Sequence, residues 1–208
     1  MDEGQIGVDE SGKGDYFGPL VVAACAVGPE HLANLDGVTD SKKLTDKRAM
    51  ELARIIKGIC PHEVLVVMPK RYNELHAEIK NLNRILEWGH ASVIEKVLAQ
   101  YPCKVAVSDR FADPRGLREK LKKKRVDIKL ESHVRAESSF VAVAAASVLA
   151  RAEFLWRLKK LSEDYGIELP KGATVVIPTG KRFVEKHGAA ELGNVAKLHF
   201  KTTLQVLG

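Results

Sequence analysis

The 208-residue chain carries 33 Lys plus Arg against 27 Asp plus Glu, a formal net charge of +6 at pH 7, with 45% hydrophobic and 29% charged residues. That composition excludes a disordered tail, a collagen and a coiled coil, and a chain of this length can bury a substantial core without covalent staples. Cys25, Cys60 and Cys103 are widely spaced with no CxxC pair, which argues against a disulfide framework or a thiolate zinc site.

In chain order, the acidic start Met1-Asp2-Glu3 lacks the basic and apolar stretches of a secretory signal. The longest apolar run, residues 19–27, is far shorter than the roughly 20 residues that span a bilayer. A cytoplasmic protein with no membrane partner is expected. Strands are expected at residues 5–10, where Ile6 and Val8 alternate, at 20–27 and at 63–68. A helix over residues 46–57 separates the second from the third. Residues 81–100 carry apolar side chains at helical spacing and end before Pro102. Two further strands, 104–109 and 126–130, are joined by a helical connection, as a parallel pair requires. A helix over 138–163 is apolar nearly all round from Phe140 to Ala150, so that half must be buried, and then keeps one apolar stripe. From Tyr165 onward, turns at Pro170-Lys171-Gly172 and Pro178-Thr179-Gly180 precede short helical pieces ending at Leu207. The expected architecture is one α/β domain over residues 1–208, a mixed five-stranded sheet flanked by helices, with a C-terminal helical subregion from about residue 165.

The most informative stretch is Gly7-Val8-Asp9-Glu10-Ser11-Gly12-Lys13-Gly14-Asp15-Tyr16-Phe17-Gly18-Pro19. An apolar strand runs into two carboxylates, then into a glycine-rich turn with a lysine. Alternation sends neighbouring strand residues to opposite faces, so Asp9 and Glu10 share one site only if the strand end is frayed. Taken alone, Asp-Glu before Ser-Gly is a common way to end a strand. Its companions shift that reading: Asp109 ends the 104–109 strand, and Glu137 sits just before the buried helix, where helix N-terminal charge is its ordinary role. If strands one and four are adjacent, Asp9 and Asp109 lie side by side. Four carboxylates with no His or Cys nearby suit hard, oxygen-preferring Mg²⁺ or Mn²⁺. Two such ions about 3.5–4 Å apart activate water and stabilise the leaving oxygen of a phosphodiester.

At this point the residues resemble a family. The run from Gly7 to Leu20 is similar to the opening motif of the type 2 ribonucleases H, and Asp15-Tyr16-Phe17-Gly18-Pro19 is the form typical of ribonuclease HIII. Asp40-Ser41-Lys42-Lys43-Leu44, Tyr72-Asn73, Asn81-Leu82-Asn83, Ser108-Asp109-Arg110-Phe111-Ala112, Ala136-Glu137-Ser138, Leu169-Pro170-Lys171-Gly172-Ala173 and Ala196-Lys197-Leu198-His199-Phe200 resemble its later blocks, so that nearly the whole chain is covered.

The resemblance implies a ribonuclease H fold and an endoribonuclease that cuts the RNA strand of RNA/DNA hybrids, leaving 5′-phosphate and 3′-hydroxyl ends. It implies a catalytic and metal-binding set of Asp9, Glu10, Asp109 and Glu137, with two Mg²⁺ or Mn²⁺ ions during catalysis. Glu rather than Asp at position 137 points to ribonuclease HIII. Gly12, Lys13 and Gly14 are then expected to contact ribose 2′-hydroxyls, and Ser41, Lys42 and Lys43 to hold phosphates. The basic run at Lys120, Lys122, Lys123, Lys124 and Arg125 reads as a solvated helix end. His199 is left without a catalytic role. The small substrate-binding domain that family members carry ahead of the catalytic one is expected to be absent, and the protein to act as a monomer. Ribonuclease HII-type incision at single ribonucleotides in DNA and a non-catalytic hybrid-binding module stand as alternatives.

Overall fold

A computed structural model describes residues 4–38 and 44–208 of the chain. Ser41, Lys42 and Lys43 lie outside the described residues. The strands are β1 (Gln5–Ser11), β2 (Leu20–Val27), β3 (His62–Val67), β4 (Val105–Asp109) and β5 (Lys129–His133), joined in one sheet of order β3-β2-β1-β4-β5. β1 pairs with β4, and β4 with β5, both in parallel. The helices are α1 (Pro29–Leu32), α2 (Asp46–Ile59), α3 (Pro69–Ile79), α4 (Leu82–Gln100), α5 (Pro114–Lys123), α6 (Val141–Tyr165), α7 (Ile177–His187), α8 (Leu192–Val195) and α9 (Thr202–Leu207).

The chain divides into two compact units. The first draws on Met1–Glu10, Val22–Leu65 and Leu82–Ala152, the second on Ser11–Val21, Val66–Asn81 and Glu153–Gly208. The second therefore takes in more than the subregion expected from residue 165.

In the first unit, α6 packs tightly against β1. A Cβ on Gly7 would overlap the backbone of Ala142 and Val143, which is why a strand otherwise built from Ile6 and Val8 carries glycine there. Residues 142–150 of α6 are all buried, as their unbroken apolar character requires. Gly7→Ala is expected to destabilise the protein by at least about 3 kcal/mol, because the clash is with backbone and no side chain can yield. Chemical denaturation checks this, and an unchanged midpoint would mean that α6 does not pack on β1 as described. Central burial also explains β2, whose eight residues are all buried and apolar. Among the described residues Cys25, Cys60 and Cys103 form no disulfide.

Several expectations need correction. The fifth strand starts at Lys129, not at residue 126: Val126 N–H donates to Leu121 O and closes α5, and pairing begins where Lys129 N–H meets Lys104 O. The long helix starts at Val141 rather than Ser138, since Ala136–Ser138 form a separate 3-10 turn. The connection between β3 and β4 holds two helices, with Lys80 in the left-handed region (φ 52°) ending α3. Pro178-Thr179-Gly180 is no turn: it lies in the first turn of α7, where proline is well tolerated, and Gly180 makes room for Val206.

In the second unit, residues 15–18 are held by the chain's late segments. Asp15 Oδ1 accepts from Gly172 N–H (2.6 Å), and Phe17 bridges Ala196. Lys197 is fully buried, and its ammonium donates to the carbonyls of Asp15 (2.7 Å) and Gly18 (2.6 Å). Asn73 donates to Gly193 O and Ala196 O and accepts from Leu198 N–H. The Tyr72-Asn73, Gly172 and Ala196-Lys197 blocks thus form one scaffold around the turn.

Candidate active site

β1 ends in Asp9-Glu10-Ser11 and β4 in Ser108-Asp109, and the two strands run parallel with Val8 opposite Ser108. One step further along this register brings Asp9 beside Asp109, at the carboxyl ends of parallel strands, where α/β sheets place their chemistry. Asp9 is buried, and two groups orient it: Glu10 N–H donates to its Oδ1 (2.8 Å), and the Ser147 hydroxyl of α6 bonds its side chain. Burial above all, then the neighbouring Glu10 and more weakly Asp109, raises the Asp9 pKa from 3.8 to about 8, against the lowering effect of those two hydrogen bonds.

Asp109 Oδ1 accepts from Ala136 N–H (3.1 Å), the residue that opens the 3-10 turn holding Glu137. That turn follows Arg135, a non-glycine residue in the left-handed region (φ 55°), and Glu137 is buried within it. The third and fourth carboxylates are thus tied together by a backbone bond. Strain at Arg135 is the local cost of presenting Glu137 there.

Glu10 goes elsewhere. β1 stays regular through Ser11 instead of fraying, so alternation sends Asp9 toward α6 and Glu10 toward α4, where Glu10 Oε2 lies 3.0 Å from His90 Nε2. The expectation of no histidine near the carboxylates is therefore wrong. His90 is 80 residues from Glu10 and fully buried, in the stripe of α4 that also holds Ile85, Leu86, Val93 and Ile94. That helical spacing was the one signal that could have found it. Among the described residues no three His, Cys, Asp or Glu side chains are gathered closely enough to hold a metal ion. Asp9 and Asp109 are brought together, Glu137 is linked to Asp109 through Ala136, and Glu10 is drawn toward His90. Like charges at these positions repel, and a divalent ion would have to draw them in. The donor set still fits such an ion: it is oxygen-rich and anionic, and a cation would offset both the burial and the neighbouring carboxylates that raise the Asp9 pKa.

In the second unit, Gly12 is buried in the left-handed region (φ 86°), where a Cβ would overlap the Pro19 carbonyl, while Lys13 and Gly14 are exposed. Gly12 is thus required by the turn itself. Burial lowers the Lys197 pKa from 10.5 to about 7, opposed by Asp15. His199 stacks on His76 (4.5 Å between centroids), and burial first, then His76 and Lys197, lower its pKa from 6.5 to about 4.

Comparison with known proteins gives a consistent picture. The family model described as Ribonuclease HII matches residues 6–203. The chain is 42% identical over 206 residues to the ribonuclease HIII of Protochlamydia amoebophila, covering 98% of this chain and 68% of that protein. To the ribonuclease HIII of Chlamydia pneumoniae it is 44% identical over 204 residues, covering 95% and 68% respectively. Among solved structures, Bst ribonuclease HIII in complex with Mn²⁺ is similar with a TM-score of 0.91 at 34% identity, over 99% of this chain and 69% of that one.

Proposed function

The chain belongs to the type 2 ribonuclease H family, in its ribonuclease HIII branch, and from that premise we propose that Asp9, Asp109 and Glu137, joined by Glu10 when a cation draws its long side chain in from the other face of β1, are the residues with which it hydrolyses the RNA strand of RNA/DNA hybrids. The observation that carries this assignment is the parallel register that sets Asp9 beside Asp109, with the Asp9 pKa raised to about 8 by burial and like charge.

Asp9, Glu10, Asp109 and Glu137 would hold divalent ions, which would supply an activated water and stabilise the leaving 3′ oxygen of an in-line displacement. The chain's part is orientation. Ser147 and the Glu10 amide fix the Asp9 carboxylate, and the Ala136 amide fixes Asp109. The buried setting of Asp9 and Glu137 strengthens their attraction for cations relative to carboxylates in open water. Mg²⁺ and Mn²⁺ both suit this donor set, so the physiological ion belongs to the proposal. So do the roles of Gly12, Lys13 and Gly14 toward ribose 2′-hydroxyls and of Ser41, Lys42 and Lys43 toward phosphates, the first group supported by the exposure of Lys13 and Gly14. Action as a cytoplasmic monomer completes the reading. Among the described residues no helix is long and apolar enough to cross a membrane.

The test is cleavage of an end-labelled RNA/DNA hybrid with and without Mn²⁺, with product ends identified as 5′-phosphate and 3′-hydroxyl. Metal-independent binding without cleavage would leave a non-catalytic module. A second expected result follows from the Asp15 to Pro19 motif and Glu137. Hybrids with several consecutive ribonucleotides should be cut at least about tenfold faster than DNA holding one ribonucleotide, about 1.4 kcal/mol of discrimination in the transition state. Equal rates on the two duplexes would place the activity with ribonuclease HII.

A further inference from the structure

The stripe of α4 that faces the sheet is aliphatic at Ile85, Leu86, Val93 and Ile94, and His90 interrupts it. A leucine would fill that volume without needing a polar partner, whereas a buried imidazole left unpaired costs a few kcal/mol. The partners found are specific. His90 Nε2 lies 3.0 Å from Glu10 Oε2, with the two side chains 0% and 3% exposed. A carboxylate only accepts, so Nε2 donates. On the other edge of the ring, Nδ1 lies 3.5 Å from Ser108 Oγ, and that hydroxyl donates to the Asp109 carbonyl (2.8 Å). Phe111 closes the remaining side, its ring centroid 4.7 Å from that of His90. Gly89 lets the helix approach, since a Cβ there would come within 3.0 Å of Val22.

We propose that His90 is a positioning residue for the hydrolytic site, holding the Glu10 carboxylate in one orientation. This rests on the reading of Asp9, Glu10, Asp109 and Glu137 as the metal-binding set. Its physical content is preorganisation. The end of β1 and the end of β4 each contribute acidic groups that repel one another, and Glu10, with its flexible stem, has the most freedom to swing away. A fixed imidazole limits Glu10 to one direction, from which an ion has only to draw it in. Groups that orient metal-binding side chains typically contribute 10- to 100-fold in metal affinity or activity.

The experiment uses the full chain with Mn²⁺ as probe, following free Mn²⁺ by electron paramagnetic resonance and hybrid cleavage against Mn²⁺ concentration. His90→Leu is expected to weaken Mn²⁺ binding about 10- to 100-fold and to shift the Mn²⁺ midpoint of cleavage equally, with KM for the hybrid at saturating Mn²⁺ unchanged. His90→Gln, whose amide can still donate to Glu10, should recover most of the loss. In a Glu10→Gln background, His90→Leu should add no further weakening. Should the leucine variant fail to fold, His90→Asn, whose amide stops short of Glu10, takes its place. A variant with a lower melting temperature but an unchanged Mn²⁺ midpoint would overturn the proposal, as would an equal loss in the Glu10→Gln background. Asp9→Asn separates the two levels of the argument. If it still turns over, the site reading itself fails; if it is inactive while His90→Leu binds Mn²⁺ normally, only the positioning role fails.

Discussion

Asp9→Asn is expected to abolish hybrid hydrolysis, by about 10³-fold or more, while making the metal-free protein more stable. The loss follows because an amide keeps the shape and the hydrogen bond from Glu10 N–H (2.8 Å) but cannot supply the negative charge that holds divalent ions, which contribute several kcal/mol to such a transition state. The gain follows from the same charge. In the fold, Asp9 is buried beside Glu10 and near Asp109, and its pKa rises from 3.8 to about 8. At neutral pH the folded chain must therefore hold a proton that the unfolded chain has released, at a cost of up to about 4 kcal/mol that asparagine avoids. Single-turnover cleavage at saturating Mn²⁺ and thermal melts in EDTA read the two effects. A variant that kept wild-type turnover would remove Asp9 from the chemistry.

Asp9 is expected to lower the stability of the metal-free protein progressively as pH rises from about 4 to about 8, and this contribution should be absent in Asp9→Asn. Below pH 3.8 Asp9 is protonated in both states and carries no penalty. Between 3.8 and about 8 only the folded state keeps the proton, so each unit of pH favours unfolding by about 1.4 kcal/mol from this one group. Above about 8 both states are ionised and the penalty levels off. Because other groups titrate too, the measured quantity is the difference in melting temperature between wild type and Asp9→Asn. In EDTA this difference should widen by several degrees between about pH 5 and pH 7. Saturating Mn²⁺ should reverse the trend, since the ion binds the ionised carboxylate and binds it more tightly as protons leave. A difference that stayed constant with pH would mean that Asp9 is not held protonated by its surroundings.

Where burial was continuous or alternation was clean, the fold could be read in advance, as in β1 and the fully buried β2. The reading slipped where periodicity outlasted the hydrogen bonds: Val126 and Ile128 alternate with Leu130, yet Val126 N–H is already bonded to Leu121 O. α3 left little trace because only Pro69 and Tyr72 of its residues are buried. At the site, the pairing of Asp9 with Asp109 followed from strand adjacency alone. His90 did not, because its partner lies 80 residues away and no local pattern brings the two together. The blocks around Tyr72, Gly172 and Lys197 were visible as motifs, but no local pattern tells which distant carbonyl a buried lysine will meet.

Lys197 bears on how the protein is made. Its ammonium bonds carbonyls 182 and 179 residues earlier in the chain, so residues 15–18 leave the ribosome long before the group that holds them exists. Contacts of such sequence separation form late and slowly. Until residue 197 is made, the carbonyls of Asp15 and Gly18 lack their lysine partner. A chain released before residue 197 would keep every carboxylate of the site, yet lack the clasp on residues 15 and 18.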